Sequence, residues 1–184
     1  MIYLPGRAVF IHIPRTGGCS IKSAIASSCF SIGFPAVVST ISPAYEQFDR
    51  VQIHARAIDL KGYIREWNDI YRFAVHRPIK ERMDSTIKFM EKLRDLGVCS
   101  DEWPISLPEE LKRTFCRDDY KEWIEENWSD HTTQWFTQSN YGENLGVELY
   151  RFEDLSDRWY EICDKCQIPR CDLPHLNRSQ SLKK

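Results

Sequence analysis

The stretch at residues 10–20, FIHIPRTGGCS, combines residue types that bind anions. An apolar, β-branched run stops abruptly at Pro-Arg-Thr-Gly-Gly, and a helix-like sequence, IKSAIASS, follows it. Glycines let the backbone approach a ligand closely, and the first amides of a helix attract negative charge. Arg15, Thr16 and Ser20 add side-chain donors. We therefore predict a phosphate-binding loop here; the alternative is a plain glycine turn between a strand and a helix.

A second polar group follows the strand-like run YRFAVH. Arg77 comes directly after this run, and Ser85 lies about two turns along the predicted helix that follows. In this arrangement the two side chains could hold one phosphate from two sides, with Arg82 on the same helix face as Ser85. The alternative is a surface arginine followed by an ordinary helix ion pair, such as Asp84 with Lys88.

A histidine stands at a third strand end. His54 closes the short apolar run VQIH and precedes a helix-like sequence, ARAIDLKGYIREW. An imidazole with a pKa near 6.5 is the usual general base at neutral pH. We interpret His54 as a candidate base, and the alternative is a structural histidine.

Alternating strand and helix patterns must position these residues. Strands are predicted at residues 8–13, 51–54, 71–76 and 147–152, and helices at residues 18–28, 55–67, 78–96, 118–136 and 153–166. Strands separated by helices imply parallel pairing and an α/β layer fold. In such folds ligands bind beyond the carboxyl ends of the strands, so the polar strand ends are expected to share one edge of the sheet.

Length and composition indicate a single globular domain over residues 1–184. Hydrophobic residues make up 42% of the chain and charged residues 28%. Neither a secretory leader nor an apolar run of the roughly 18–20 residues that span a bilayer is recognisable, so we expect a soluble, cytoplasmic protein. The first 100 residues are basic and the remainder acidic, which suits a small polyanionic ligand and is too weak a pattern for nucleic acid.

The seven cysteines are scattered, which favours reduced thiols. The spacing of Cys163, Cys166, Cys171 and His175 is loosely similar to that of a zinc site. Because Cys163 and Cys166 fall within a predicted helix, we interpret them as buried free cysteines and predict no metal.

In chain order, the segments PRTGGCS, HARA, FAVHRPIKERMDS, QWF, VELYRFEDL and LPHLNRS resemble the sulfotransferases that use 3′-phosphoadenosine 5′-phosphosulfate (PAPS). The similarity is to the carbohydrate sulfotransferases of the heparan sulfate 2-O-sulfotransferase-like group. It extends from about residue 8 to residue 179. It implies a P-loop-like three-layer fold with a central parallel sheet flanked by helices.

The resemblance also implies a nucleotide site. The residues that it places around the 5′-phosphate are Arg15, Thr16, Gly17, Gly18, Cys19 and Ser20. It assigns Arg77 and Ser85 to the 3′-phosphate, and it places Asn177 and Arg178 where the chain closes over the bound nucleotide.

By the same resemblance, His54 is the catalytic base, and His131 and Gln134 border the acceptor site. The acceptor is expected to be a hydroxyl-bearing saccharide or small molecule, sulfated by in-line displacement without a metal. Arg15 stands where the family usually has lysine, and Cys19 stands where threonine is common. Two alternatives remain: a P-loop kinase or nucleotide triphosphatase, and a non-catalytic nucleotide-binding protein on the same fold.

Overall fold

The computed structural model describes residues 1–38, 54–95, 120–127 and 131–175. The chain divides into two compact units. The first comprises Met1–Arg77 and His131–Asn177, and the second comprises Pro78–Asp130 and Arg178–Lys184. The first unit contains the sheet and most of the predicted site residues.

The first unit is built on a five-stranded mixed sheet. Its strands are β1 (Ile2–Leu4), β2 (Ala8–Ile11), β3 (Val37–Val38), β4 (Tyr71–His76) and β5 (Glu148–Arg151), in the spatial order β3-β1-β2-β4-β5. β2, β4 and β5 run parallel, as predicted, with Phe10 opposite Phe73 and Val75 opposite Tyr150. The carboxyl ends of these three strands therefore lie side by side.

The prediction of a wholly parallel sheet is wrong at one edge. β1 pairs antiparallel with both β2 and β3. Only a three-residue turn separates β1 from β2, closed by the Arg7 amide donating to the Leu4 carbonyl at 3.0 Å. A connection that short can join only antiparallel neighbours. The α/β class is confirmed, and the sheet is mixed.

The helices differ from the prediction mainly in their ends. They are α1 (Gly18–Ser31), α2 (Ala57–Tyr63), α3 (Ile79–Asp95), α4 (Tyr120–Asn127), α5 (His131–Thr137) and α6 (Leu155–Lys165). The helix predicted at 118–136 corresponds to α4 and α5, and residues 128–130 between them lie outside the described residues. The strand predicted at 51–54 lies outside the described residues except for His54, which is in a turn.

Alternation along β2 determines how the helices cover the sheet. Val9 and Ile11 belong to a core cluster that includes residues of α2 and α5. Ala8 and Phe10 belong to a second cluster that includes residues of α1 and α6. Successive strand residues point to opposite faces, so helices pack against both sides of the sheet. None of the described helices is long and apolar enough to cross a membrane.

The second unit is described through α3 and α4. Lys121 of α4 pairs with Glu91 of α3 at 2.7 Å. Arg82 on α3 is 1% exposed, and its carbonyl accepts a hydrogen bond from the Thr86 hydroxyl at 2.9 Å. Arg82, predicted on the same helix face as Ser85, is therefore a buried residue.

Candidate functional site

The loop after β2 is a tight turn that leads directly into α1. Arg15 and Gly17 both adopt left-handed backbone conformations, with φ of 65° and 80°. Few non-glycine residues adopt this conformation, because Cβ then crowds the backbone, so Arg15 is strained. The Thr16 hydroxyl is buried and donates to the Ile13 carbonyl at 2.8 Å. Thr16 thus closes the turn internally, and α1 begins at Gly18.

Two glycines are needed because other groups approach them closely. A Cβ on Gly17 would lie 3.0 Å from Cε2 of Phe152, the residue after β5. A Cβ on Gly18 would overlap the ring of His12. The double glycine therefore does more than form a turn: it lets side chains from two neighbouring segments reach the start of α1.

Two arginines follow neighbouring strands at this edge of the sheet. Arg15 follows β2, and Arg77 follows β4, the parallel neighbour of β2. Burial lowers the pKa of Arg15, and the positive charge of Arg77 lowers it further, whereas Cys19 raises it. The Arg77 guanidinium carbon lies 4.6 Å from the centre of the Phe152 ring. The sheet thus holds two like charges within electrostatic reach of each other, beside a helix N-terminus.

A pair of histidines lies beside the loop. The ring centroids of His12 and His54 are 4.4 Å apart, and His54 Nδ1 is 2.9 Å from the His12 carbonyl oxygen. A carbonyl can only accept, so Nδ1 of His54 carries the proton and Nε2 keeps its lone pair. Burial lowers the pKa of His54 to about 4, which leaves the ring neutral at pH 7. His54 therefore has the protonation state of a general base.

His12 was not predicted as a site residue. It is 6% exposed, and burial is the main cause that lowers its pKa well below the usual range. A histidine in the apolar run FIHI was the available signal, because the alternation of β2 places residue 12 with Phe10 toward the core. Phe152 was also missed, since nothing in its local sequence shows that it faces the loop.

The remaining predicted residues of the loop and of α3 differ in exposure. Ser20 is 8% exposed on α1, and Cys19 is exposed. Ser85 lies on α3, in the second unit, and is partly buried. Arg15, Arg77 and His54 therefore belong to the first unit, whereas Ser85, which was predicted to act with Arg77, belongs to the second.

The residues predicted around the acceptor and over the nucleotide are less completely described. His131 begins α5, and Gln134 is exposed on the same helix. Asn177 and Arg178 lie outside the described residues. Within the part of the chain that the structure describes, no group of three or more histidine, cysteine or acidic side chains could hold a metal ion.

Cys163 and Cys166, predicted to be buried free cysteines, pack in the core. Cys163 and Cys166 are buried on and just after α6, and burial raises the pKa of Cys163 to about 11. Trp159 of the same helix donates to the Cys171 carbonyl at 2.7 Å. This environment favours uncharged thiols, which suits apolar packing better than metal binding.

Stability is expected to fall as the pH is lowered, because the two histidines resist protonation in the folded state. For His54 the folded pKa is about 4 and the unfolded value about 6.5, so its contribution is present above pH 6.5 and lost between pH 6.5 and 4. Full titration of His54 alone lowers the free energy of unfolding by about 3 kcal/mol. Chemical unfolding at pH 7.5, 6, 5 and 4.5 measures this free energy. The His54→Asn variant should lose less stability over this range, and equal losses would contradict the assignment.

No family model, curated protein or solved structure matches this chain. The site combines two arginines, a helix N-terminus and a neutral imidazole that is unprotonated at Nε2. The arginines and the helix N-terminus suit an anionic substrate. The imidazole can accept a proton from a second substrate, such as one that bears a hydroxyl.

Proposed function

We propose that this protein is a sulfotransferase that moves the sulfuryl group of PAPS to a hydroxyl of a saccharide or small-molecule acceptor. In this proposal the fold is P-loop-like, and the PRTGGCS loop holds the 5′-phosphosulfate. Arg77 helps to bind the 3′-phosphate, and His54 is the base. No metal takes part, because cationic side chains and backbone amides supply the positive charge.

The observation that carries the proposal is that Arg15 and Arg77 follow the carboxyl ends of two neighbouring parallel strands, close enough for the charge of one to act on the other. Burial is the main cause of the lowered pKa of Arg15, and the positive charge of Arg77 lowers it further. An anion bound between them would replace repulsion by attraction. A nucleotide that bears anionic groups at both its 3′ and 5′ positions suits two such cations better than a single phosphate does.

The proposed chemistry needs one proton acceptor and one stabilised leaving group. The acceptor oxygen attacks sulfur, and the bond from sulfur to the 5′-phosphate oxygen breaks with its electron pair remaining on that oxygen. The acceptor proton passes to Nε2 of His54, the ring atom that the His12 carbonyl leaves available. By analogy with phosphoryl transfer, positioning and electrostatic stabilisation supply most of the rate enhancement.

Arg15 in place of lysine changes how the leaving oxygen is stabilised. A guanidinium stays protonated, so Arg15 would donate hydrogen bonds to the departing phosphate and not transfer a proton to it. The first amides of α1 would share this charge. The released 3′-phosphoadenosine 5′-phosphate would then leave with its negative charges balanced by protein cations.

Binding of 3′-phosphoadenosine 5′-phosphate is expected to raise the melting temperature, because a ligand that binds only the folded state stabilises it by mass action. Adenosine 5′-phosphate, which lacks the 3′ group, should raise it less at equal concentration. Thermal melting with each nucleotide measures this. Equal shifts would contradict the role of Arg77, and a larger shift with Mg²⁺–ATP would favour a kinase or triphosphatase. Transfer of labelled sulfate to candidate acceptors separates an enzyme from a non-catalytic nucleotide-binding protein.

Cys19 provides a local probe of the loop. It is exposed, whereas Cys29, Cys163 and Cys166 are buried. We expect brief iodoacetamide treatment to modify Cys19 faster than these three, and 3′-phosphoadenosine 5′-phosphate to slow the reaction by covering the loop. Peptide mapping by mass spectrometry measures both rates. Fast modification that the nucleotide does not slow would place the phosphate elsewhere.

A further inference from the structure

His12 lies between the PRTGGCS loop and His54, the candidate base. On one side its ring lies 4.4 Å, centre to centre, from the ring of His54. On the other side it lies so close to Gly18 that a Cβ there would overlap it. Gly18 is the first residue of α1, the helix whose N-terminus faces the proposed 5′-phosphosulfate. One side chain therefore contacts both halves of the site.

We propose that His12 is a positioning residue that fixes His54 at a set distance and orientation from the PRTGGCS loop. Its carbonyl oxygen holds the Nδ1–H of His54 at 2.9 Å, and its ring supports the ring of His54 from the side. Gly18 holds His12 in turn, so a displacement of the loop would move the base with it. This inference rests on the proposed function, in which His54 acts on the acceptor and the loop holds the donor.

A histidine at this position is costly for the fold. Its ring is 6% exposed, and Nδ1 has no hydrogen-bond partner within the described part of the chain. A buried polar atom without a partner lowers the stability of the fold. An apolar residue would avoid this cost against Phe10, whose ring is stacked 5.8 Å from that of His12. The cost suits a residue that serves the site, where strained or unsatisfied groups collect.

Burial keeps the His12–His54 pair neutral. It is the main cause that lowers the pKa of His12, and the positive charges of Lys22 on α1 and Arg15 in the loop lower it further. A protonated His12 would repel a proton arriving on His54. Neutral His12 therefore leaves Nε2 of His54 ready to accept a proton without a competing charge beside it.

Nitrogen-15 NMR of the imidazoles tests the inference without relying on activity. In the wild-type protein at pH 7 we expect His54 as a single Nδ1–H tautomer; a mixture of tautomers would overturn the proposal whatever the variants show. In His12→Ala and in the smaller change His12→Asn, the ring support is lost. Without this support we expect the His54 ring to move away from the backbone carbonyl of residue 12 and toward solvent. Mixed tautomers and a His54 pKa at least one unit higher should then be seen in whichever variant circular dichroism shows to be folded. An unchanged His54 in a folded variant would also overturn it.

Steady-state kinetics give the second readout. We expect kcat to fall by roughly 10–100-fold in these variants, because a misplaced reacting group loses about that much rate, while the affinity for 3′-phosphoadenosine 5′-phosphate stays within about twofold. Gly18→Ala should act in the same direction by displacing the His12 ring. Gly62→Ala is the matched control, since a Cβ on this α2 glycine meets nothing within 4 Å.

The two measurements distinguish failure of the positioning role from failure of the proposed function. Mixed His54 tautomers in the His12 variants of a protein that transfers no sulfate would support the positioning role and reject the sulfotransferase. Sulfate transfer at the wild-type kcat by a folded His12 variant would uphold the sulfotransferase and reject the positioning role.

Discussion

Replacing His54 with alanine is expected to lower turnover by roughly 10²–10⁴-fold, the usual contribution of a general base, while nucleotide affinity stays nearly unchanged. The reason is geometric. The His12 carbonyl holds the proton of His54 on Nδ1, so Nε2 is the atom that can take the acceptor proton. The anion site is formed by other residues, chiefly Arg15 and Arg77, and alanine at position 54 leaves them in place. Initial rates and calorimetric titration with 3′-phosphoadenosine 5′-phosphate measure the two quantities.

The pH dependence provides a second check on the same residue. With a pKa of about 4, His54 is unprotonated through the neutral range, so activity limited by the base should hold from pH 8 down to about pH 5 and fall below that. An ordinary histidine would lose activity near pH 6.5. His175→Ala is the control, because His175 is exposed in the same unit. Unchanged turnover in His54→Ala would move the role of base to another group, with His131 the first candidate.

Replacing Arg77 with methionine is expected to weaken binding of 3′-phosphoadenosine 5′-phosphate by roughly 10–100-fold. Hydrogen bonds to charged groups contribute about 1.5–3 kcal/mol each, which corresponds to this range. Methionine keeps an unbranched side chain near Phe152, so the packing at the end of β5 is largely preserved. Titration calorimetry measures the affinity, and circular dichroism confirms the fold.

Arg170→Met is the matched control for this prediction. Arg170 also lies over an aromatic ring, with its guanidinium carbon 5.7 Å from the centre of Tyr160, and its ion pair with Asp164 is exposed. Exposed ion pairs contribute little to stability, so this variant should bind the nucleotide like the wild type. Equal affinities in the two variants would show that Arg77 takes no part in the site.

Local sequence was enough where one short segment determines its own structure. β4 lies at residues 71–76 as predicted, because a β-branched and aromatic run ends at a proline. The PRTGG loop does lead into a helix, and Gly17 has the positive φ that its residue type allows. The antiparallel edge of the sheet was missed because the first strand was predicted to begin at residue 8 and β1 was not predicted, although the Pro-Gly pair at residues 5–6 marks the turn of a hairpin.

The sequence by itself determined the α/β class and the residue types at the strand ends, since periodicity and turn chemistry act over a few neighbouring residues. Tertiary structure alone decided which of these residues meet. Parallel pairing of β2 with β4 brings Arg15 and Arg77 together, although about sixty residues separate them. The contact of His12 with both Gly18 and His54 depends on Gly18 lacking a side chain and on burial that keeps both imidazoles neutral. Distances and burial of this kind arise only when distant segments pack, so no local pattern could encode them.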